Sequence, residues 1–242
     1  MTGTAPVICI DGPSGAGKGT LSQRLAAELG WHLLDSGALY RVVGFAGRQA
    51  AVSLKDSDTI AAIARSLDVD FRPTDDGVSV WLAGKDVTAK LRTEEGGRDA
   101  STVAALPAVR EALMLRQQEL ARSPGLIADG RDMGTVVFPR APLKIFLTAS
   151  TKARAERRFH QLQGMGESVS LARLLTDIEE RDARDQSRAV SPLVPAEDAI
   201  VIDSTKLSAD EVLRAVCDLA VSHELLSDAS ESRLDPADAS RQ

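Results

Sequence analysis

The chain has 242 residues, 43% of them apolar, which is enough for one large or two modest soluble domains with a real core. Its net charge of −6 argues against general attachment to nucleic acid, and an aromatic content of 3% provides no stacking surface for single strands. The longest apolar runs are strand-sized and the N-terminus lacks a secretory signal pattern, so we expect a cytoplasmic protein without membrane contact. Two well-separated cysteines, Cys9 and Cys217, argue against a disulfide framework or a zinc site and are expected to be buried thiols.

A glycine-rich segment follows the first predicted strand, which is formed by the apolar residues 7–10. Residues 12–18 fit the pattern G-x-x-x-x-G-K, in which backbone amides and a helix N-terminus attract phosphate oxygens while the lysine, Lys18, reaches the β- and γ-phosphates. The alternative is a glycine-rich turn in an unrelated α/β protein. The helical spacing of Leu21, Leu25 and Leu29 directly afterwards favours a phosphate loop.

The residue after Lys18 departs from the usual phosphate-loop pattern. Gly19 stands where Ser or Thr normally contacts Mg²⁺, and Thr20 follows it. We therefore expect Mg²⁺ to contact Thr20, or to be held mainly through water and the phosphates of a nucleotide.

A second short strand is predicted at residues 31–34 and ends at Asp35-Ser36-Gly37. Residues 38–51 then resume a helical pattern that carries Tyr40 and Arg41 in its first turns. Because site residues often follow strand ends in α/β folds, these side chains are candidates for ligand contacts.

The sequence changes character at residues 68–87, where two strand-like runs flank the hairpin signal Asp75-Asp76-Gly77. This pattern predicts a small antiparallel insert. Residues 91–105 are polar with Gly96-Gly97 in the middle, and we predict a mobile connection there. A proline-initiated amphipathic helix is predicted at residues 107–122.

The second half of the chain alternates strands with helices. The predicted strands are residues 126–128, 143–149 and 199–202, and the predicted helices are 151–163, 170–184 and 208–222, the last with a capping box formed by Ser208 and Glu211. Alternation of this kind indicates a parallel sheet covered on both faces, with the phosphate loop at its carboxyl edge. Beyond about Leu226 the chain has almost nothing to bury, so residues 227–242 are predicted to be a disordered tail.

Arginines and aspartates near predicted strand ends form the second signal. They are Arg41, Arg110, Arg131, Arg181 and Arg188, with Asp129, Asp132 and Asp185. Most such residues on helices are solvated, and for residues 179–185 taken alone a solvated face is the favoured interpretation. Residues 129–134 differ, since they directly follow a buried strand and so share the sheet edge with the phosphate loop. Cations around a phosphate loop would spread the charge of a transferring phosphoryl group.

Four segments together resemble the bacterial cytidylate kinase family: residues 10–20, 34–41, 129–139 and 181–193. The resemblance extends over about residues 7–220. It implies an α/β fold with a P-loop kinase core, a parallel sheet flanked by helices, a small antiparallel insert in the monophosphate-binding domain, and a short lid. The implied division is a core at about residues 1–35 and 107–226, a monophosphate-binding region at about 36–106, and a lid at about 154–166.

The resemblance also implies roles for individual residues. ATP would be bound by Gly12, Pro13, Ser14, Gly15, Ala16, Gly17, Lys18, Gly19 and Thr20. CMP would be bound by Arg41 and Arg131 at the phosphate, by Ser36, Arg110, Asp132 and Arg188 around the cytosine, and by Arg181 and Asp185 at the sugar, with Ser101 supporting Asp185 and with Tyr40 and Asp129 also in the site. The catalytic set would be Lys18, Arg131 and the lid arginines Arg154, Arg157 and Arg158.

The activity implied is ATP-dependent phosphorylation of CMP and dCMP with Mg²⁺, by a monomer. A uridylate, another nucleotide or a small metabolite remains possible as the acceptor, and a non-enzymatic nucleotide switch is the alternative from another class. Residues 94–99 depart from the family pattern with two glycines and added charge, which predicts a looser hinge beside Ser101.

Overall fold

A computed structural model describes residues 5–74, 77–164, 166, 168–188 and 190–225. Eight strands and nine α-helices are found in this part of the chain. The strands are β1 (Val7–Asp11), β2 (His32–Asp35), β3 (Val69–Thr74), β4 (Gly77–Leu82), β5 (Lys85–Asp86), β6 (Leu126–Asp129), β7 (Leu143–Thr148) and β8 (Ile200–Asp203). The helices are α1 (Lys18–Leu29), α2 (Ser36–Gln49), α3 (Ser57–Arg65), α4 (Thr88–Leu91), α5 (Glu94–Ala104), α6 (Pro107–Gln118), α7 (Thr151–Gly164), α8 (Leu171–Gln186) and α9 (Ala209–Ser222).

The main sheet has five strands in the order β2-β6-β1-β7-β8, and all of its pairings are parallel. Every residue of the central strand β1 is buried, as its continuous apolar run predicts. Ile8 and Ile10 face the core that α1 and α9 cover, whereas Val7 and Cys9 face the core shared with α2, α3, α5 and α6. The predicted parallel sheet with helices on both faces is thus confirmed.

Both cysteines are buried and free, as predicted. Within the described residues, no helix combines the length and the apolar character needed to cross a membrane. The capping box predicted at the last helix is also present, because the Ser208 side chain accepts from the Glu211 amide while Glu211 accepts from the amide of Ser208.

The predicted insert is a three-stranded antiparallel sheet in the order β3-β4-β5. The two longer strands were predicted, but the two-residue strand β5 and helix α3 were not. Asp75 and Asp76 of the predicted hairpin lie outside the described residues. Strands β2 and β8 each begin one residue later than predicted.

The prediction of a mobile connection at residues 91–105 was wrong, because most of this segment forms helix α5. Thr93 caps the helix by accepting a hydrogen bond from the Gly96 amide at 3.0 Å. The helix packs tightly on α2: a Cβ atom added at Gly44 would lie 2.8 Å from Cβ of Asp99. Tertiary packing therefore outweighs the low helix propensity of Gly96 and Gly97.

A five-residue π-helix at Met133–Val137 follows β6 and was not predicted. The residues of the predicted tail, 227–242, lie outside the described part of the chain.

Candidate active site

The glycine-rich loop joins β1 to α1 at the carboxyl edge of the main sheet. Gly12 has a φ of 145°, and a Cβ atom there would lie 2.0 Å from the Leu147 carbonyl oxygen, so only glycine fits. Helix α1 begins after Gly17, whose backbone is in the left-handed region and which has no side chain to cap the helix. The first amides of α1 therefore have no capping side chain and can bind an anion.

Lys18 points back into this loop. Its Nζ donates to the Pro13 carbonyl at 3.1 Å and lies 4.0 Å from Oδ1 of Asp129. Burial lowers the pKa of Lys18, and the Asp129 carboxylate opposes that shift. In turn, burial raises the pKa of Asp129 to about 7, despite the nearby Lys18 ammonium. Lys18, the first residue of α1, and Asp129, the last residue of β6, are therefore two buried ionisable groups that are poorly solvated.

Asp11, the last residue of β1, fixes the segment that follows β6. Its carboxylate accepts the Met133 amide at 2.9 Å and the Gly134 amide at 2.8 Å. Burial raises the pKa of Asp11 to about 6, and these two hydrogen bonds oppose the rise. Arg131 and Asp132 therefore project from a backbone segment that hydrogen bonds to β1 hold in place. Sequence reasoning did not assign Asp11 a role, although its place between a buried strand and the glycine-rich loop could have suggested one.

A second group of polar residues surrounds the far end of the cavity. Arg110 and Asp132 form a buried ion pair through Nη2 and Oδ2, and Arg110 also donates to the Ala104 carbonyl at 3.2 Å. The guanidinium carbon of Arg110 lies 5.7 Å from the ring centre of Tyr40. Ser36, which also lines this end of the cavity, is uncharged and donates a hydrogen bond to Oε1 of Gln117 at 2.8 Å.

Asp185 is fully buried and is held by two arginines. It accepts from Nε of Arg131 and from Nη2 of Arg188. Burial alone would raise the pKa of Asp185, but Arg131, Arg188 and Arg181 together hold it below its usual value. Ser101 lines the cavity on α5, yet among the described hydrogen bonds none joins it to Asp185, so its predicted support of that residue stays a prediction.

Arg181 differs from its neighbours because its buried Nε has no hydrogen-bond partner among the described residues. Burial and then repulsion from Arg131 and Arg41 lower the pKa of Arg181. A buried guanidinium beside other cations is costly unless an anion is present. The arrangement is therefore suited to binding a negatively charged group.

The three predicted lid arginines lie on α7 and all have protein partners. Arg154 pairs with Asp182 and donates to the Ser14 carbonyl at 3.1 Å. Arg157 donates to Ser204, to its carbonyl oxygen at 2.5 Å and its Oγ at 3.1 Å. Arg158 is bound by Glu94, the first residue of α5. Neither Ser204 nor Glu94 was predicted as a partner, because each is distant in sequence from α7.

A cavity of ≈ 440 Å³ brings most of the predicted residues together. Its lining includes Ser14, Gly15, Gly17, Lys18, Gly19, Thr20, Ser36, Tyr40, Arg41, Ser101, Arg110, Asp129, Arg131, Asp132, Arg157, Arg158, Arg181 and Arg188. Of the remaining predicted residues, Gly12 and Pro13 are buried in the loop and Asp185 lies behind Arg131 and Arg188. Ala16 lines an adjoining cavity of ≈ 180 Å³, and Arg154 lines another of ≈ 440 Å³.

No cluster of three or more histidine, cysteine or acidic side chains suited to a metal occurs in the described part of the chain. Oxygen ligands are nevertheless present beside the glycine-rich loop. Thr20 is exposed in the first turn of α1, and the Asp129 carboxylate reaches the same cavity. Such a sparse set of oxygens suits Mg²⁺, which keeps several waters and takes further ligands from phosphates.

A family model described as cytidylate kinase matches residues 8–222. The chain belongs to the cytidylate kinase family. A relative named cytidylate kinase from Aeromonas salmonicida (strain A449) is 56% identical over 232 residues, which span 96% of this chain and 100% of the relative. Another, from Salmonella choleraesuis (strain SC-B67), is 58% identical over 213 residues, 88% of this chain and 94% of the relative.

Membership of the cytidylate kinase family confirms the resemblance that four short segments of the sequence suggested. The matched range includes the insert and helices α7 and α8, so these elements belong to the family's domain. A solved structure of shikimate kinase from Acinetobacter baumannii in complex with shikimate covers 92% of this chain and 97% of its own at 17% identity, with a TM-score of 0.43, a likeness too weak to support a conclusion.

Proposed function

We propose that this protein transfers the γ-phosphoryl group of ATP to CMP and dCMP, giving CDP and dCDP. The observation that carries the proposal is a single cavity with a glycine-rich phosphate loop on one wall and Arg41, Arg131 and Arg181 on another. Two separate sets of anion-binding groups are what a reaction between two phosphorylated substrates requires.

The donor is assigned to the glycine-rich loop. The amides at the start of α1 and the Lys18 ammonium would bind the β- and γ-phosphates, as the loop residues 12–20 suggest. An adjoining cavity of ≈ 180 Å³ lies between the start of α1 and the start of α9, with Leu207 and Val212 on one side and Arg157 on another. An apolar slot beside a guanidinium suits the flat face of a purine base.

The acceptor phosphate is assigned to Arg41, Arg131 and Arg181. The unpartnered Nε of Arg181 supports this extension of the predicted pair, because an incoming phosphate would supply the hydrogen bond that Nε lacks and would offset the repulsion from Arg131 and Arg41. Arg131 is already oriented by Asp185, so it would need no ordering on binding.

The base is assigned to the end of the cavity lined by Ser36, Tyr40, Arg110, Asp132 and Arg188. Asp132 uses Oδ2 to bind Arg110, and Oδ1 receives no hydrogen bond from the described residues. That oxygen could accept from the exocyclic amine of cytosine, which uracil replaces with a carbonyl. The sugar would lie between base and phosphate, near Ser101 on α5 and Asp185 on α8.

In the proposed reaction an oxygen of the acceptor phosphate attacks the γ-phosphorus, and the bond from that phosphorus to the β–γ bridging oxygen breaks. No general base is needed because the acceptor phosphate is already ionised. Lys18 and Arg131, with Arg154, Arg157 and Arg158, would spread the negative charge of the transferring group. Asp129 and Thr20 would hold Mg²⁺, directly or through water, and the ion would neutralise donor phosphate charge when bound. We also propose that the enzyme acts as a monomer, on the nucleotides of the cytoplasm.

The test is ADP release from ATP and Mg²⁺ with a panel of acceptors: CMP, dCMP, UMP, AMP, GMP and shikimate. We expect CMP and dCMP to give the highest kcat/KM. Lys18→Ala is the control for contaminating kinases, since it removes the donor lysine. Equal turnover of UMP and CMP would contradict the assignment of the base, and ATP hydrolysis without any acceptor preference would favour a nucleotide switch.

A further inference from the structure

The start of α5 contacts the predicted lid across the cavity. On α7, Arg158 donates to Oε1 of Glu94 from Nε at 2.9 Å and from Nη2 at 2.5 Å. Its remaining terminal nitrogen, Nη1, donates to Oε1 of Gln161 at 2.8 Å. Two of the three nitrogens therefore bond Glu94, which is 64 residues away in sequence, and the third bonds Gln161. One N–H on each terminal nitrogen is left for a further acceptor.

The Glu94–Arg158 pair lies where the donor phosphates are proposed to bind. Both residues line a cavity of ≈ 440 Å³ together with Ser14, Gly15 and Thr20 of the glycine-rich loop and the start of α1. Arg154 donates to the loop itself, at the Ser14 carbonyl. Arg158 is instead directed to the opposite wall, where Glu94 begins α5.

We propose that Glu94 is a positioning residue that holds Arg158 in the nucleotide-free protein and releases it when the donor binds, so that Glu94 lowers the affinity for ATP. This inference rests on the proposed function. Glu94 occupies the Nε–Nη2 edge of the guanidinium, so a triphosphate can take that edge bidentately only when the carboxylate leaves it. The charge of Glu94 also repels a polyphosphate in the same cavity, which acts in the same direction.

The size of the effect follows from exposure. The Arg158 side chain is 25% exposed and that of Glu94 is 44% exposed, so solvent screens their attraction. Glu94→Gln keeps the shape and an acceptor oxygen but removes the charge. We expect this variant to lower the Kd and the KM for ATP by about two- to five-fold, the range for a partly exposed ion pair, with KM for CMP unchanged.

Glu95→Gln is the matched control. It makes the same chemical change one residue further along α5, where Glu95 contacts Arg48 at 3.2 Å and is 59% exposed. Glu95 is absent from the residues that line the shared cavity. We expect its Kd for ATP to equal that of the parent protein.

A double-mutant cycle with Arg158→Ala separates the specific pair from a general charge effect. If Glu94 acts through Arg158, Glu94→Gln improves ATP binding in the parent protein but gives a smaller gain in the Arg158→Ala background. A gain of equal size in both backgrounds, or unchanged or weaker ATP binding in Glu94→Gln, would overturn the proposal. ATP binding is measured directly by calorimetry with CMP absent, so a failure of CMP kinase activity would be recognised separately.

Discussion

Replacement of Asp132 tests the proposed base recognition most directly. Asp132 and Arg110 are an almost fully buried ion pair, and Arg110 also donates a hydrogen bond to the Ala104 carbonyl. Asp132→Ala leaves the guanidinium without its counter-ion. Breaking a buried pair from one side costs about 3–5 kcal/mol in free energy of unfolding. That is a large part of the roughly 5–15 kcal/mol that stabilises a typical domain.

Asp132→Asn separates specificity from stability. The amide keeps the shape and one acceptor oxygen, so we expect it to lose less stability than Asp132→Ala. In the base site, however, an amide oriented by Arg110 can present its NH₂ group where the carboxylate presented an acceptor. Loss of a hydrogen bond in a site built around it costs about 1–3 kcal/mol, or about 5- to 150-fold in kcat/KM.

The assay is kcat/KM for CMP and UMP in the parent protein and in both variants, with urea unfolding of each. We expect the ratio of CMP to UMP to fall by that factor in Asp132→Asn, because UMP gains a donor for its carbonyl while CMP loses its acceptor. Equal losses for the two substrates would assign Asp132 to structure alone. Unfolding free energies equal to that of the parent would refute the buried-pair reasoning.

Three further predictions follow from the same cavity. Lys18→Ala should abolish most phosphoryl transfer yet keep CMP binding, measured by calorimetry; turnover near the parent rate would contradict the donor assignment. Burial raises the pKa of Asp129 to about 7, so the parent should lose stability as the pH rises from about 4 to 7, whereas Asp129→Asn, which has no proton to lose there, should not; the difference in unfolding free energy, variant minus parent, should therefore rise over that range, and activity should fall. A difference that is independent of pH, measured by urea unfolding, would contradict the raised pKa. Ser101→Ala should harm dCMP more than CMP in kcat/KM, because dCMP has fewer hydroxyls to compensate; identical losses would detach Ser101 from the sugar.

The sheet was predictable because its strands have strong local signals. Val7, Ile8, Cys9 and Ile10 are a continuous apolar run, and such a run directly before a glycine-rich loop is typical of a buried parallel strand. Helix α5 was missed because Gly96 and Gly97 oppose helix formation locally. Its stability comes from close packing on α2 around Gly44, which is 52 residues from Gly96 and has no local signature.

The sequence singled out residues that meet in one cavity, but it did not indicate the contacts between them. The phosphate-loop pattern and the family resemblance identified Lys18, Arg131 and Asp132, and the structure brings these side chains to one cavity. No sequence rule indicates that Arg158 binds Glu94, since such a contact depends on how two helices distant in sequence approach each other. The sequence likewise does not indicate which amides Asp11 binds, those of Met133 and Gly134.

Two ionisable groups that line the cavity, Arg181 and Asp129, are buried at a cost to the stability of the fold. Arg181 is kept near Arg131 and Arg41 although burial and repulsion lower its pKa, and Asp129 is kept buried although its pKa rises to about 7. Neither arrangement benefits the nucleotide-free fold, because each leaves a charge poorly solvated. In the proposed complex both would become favourable, because phosphates would supply negative charge to the arginines and a cation would reach the carboxylate. If the proposed function is correct, the free energy that these buried charges cost the fold would be recovered when the nucleotides bind, as expected of a site preorganised for a highly charged transition state.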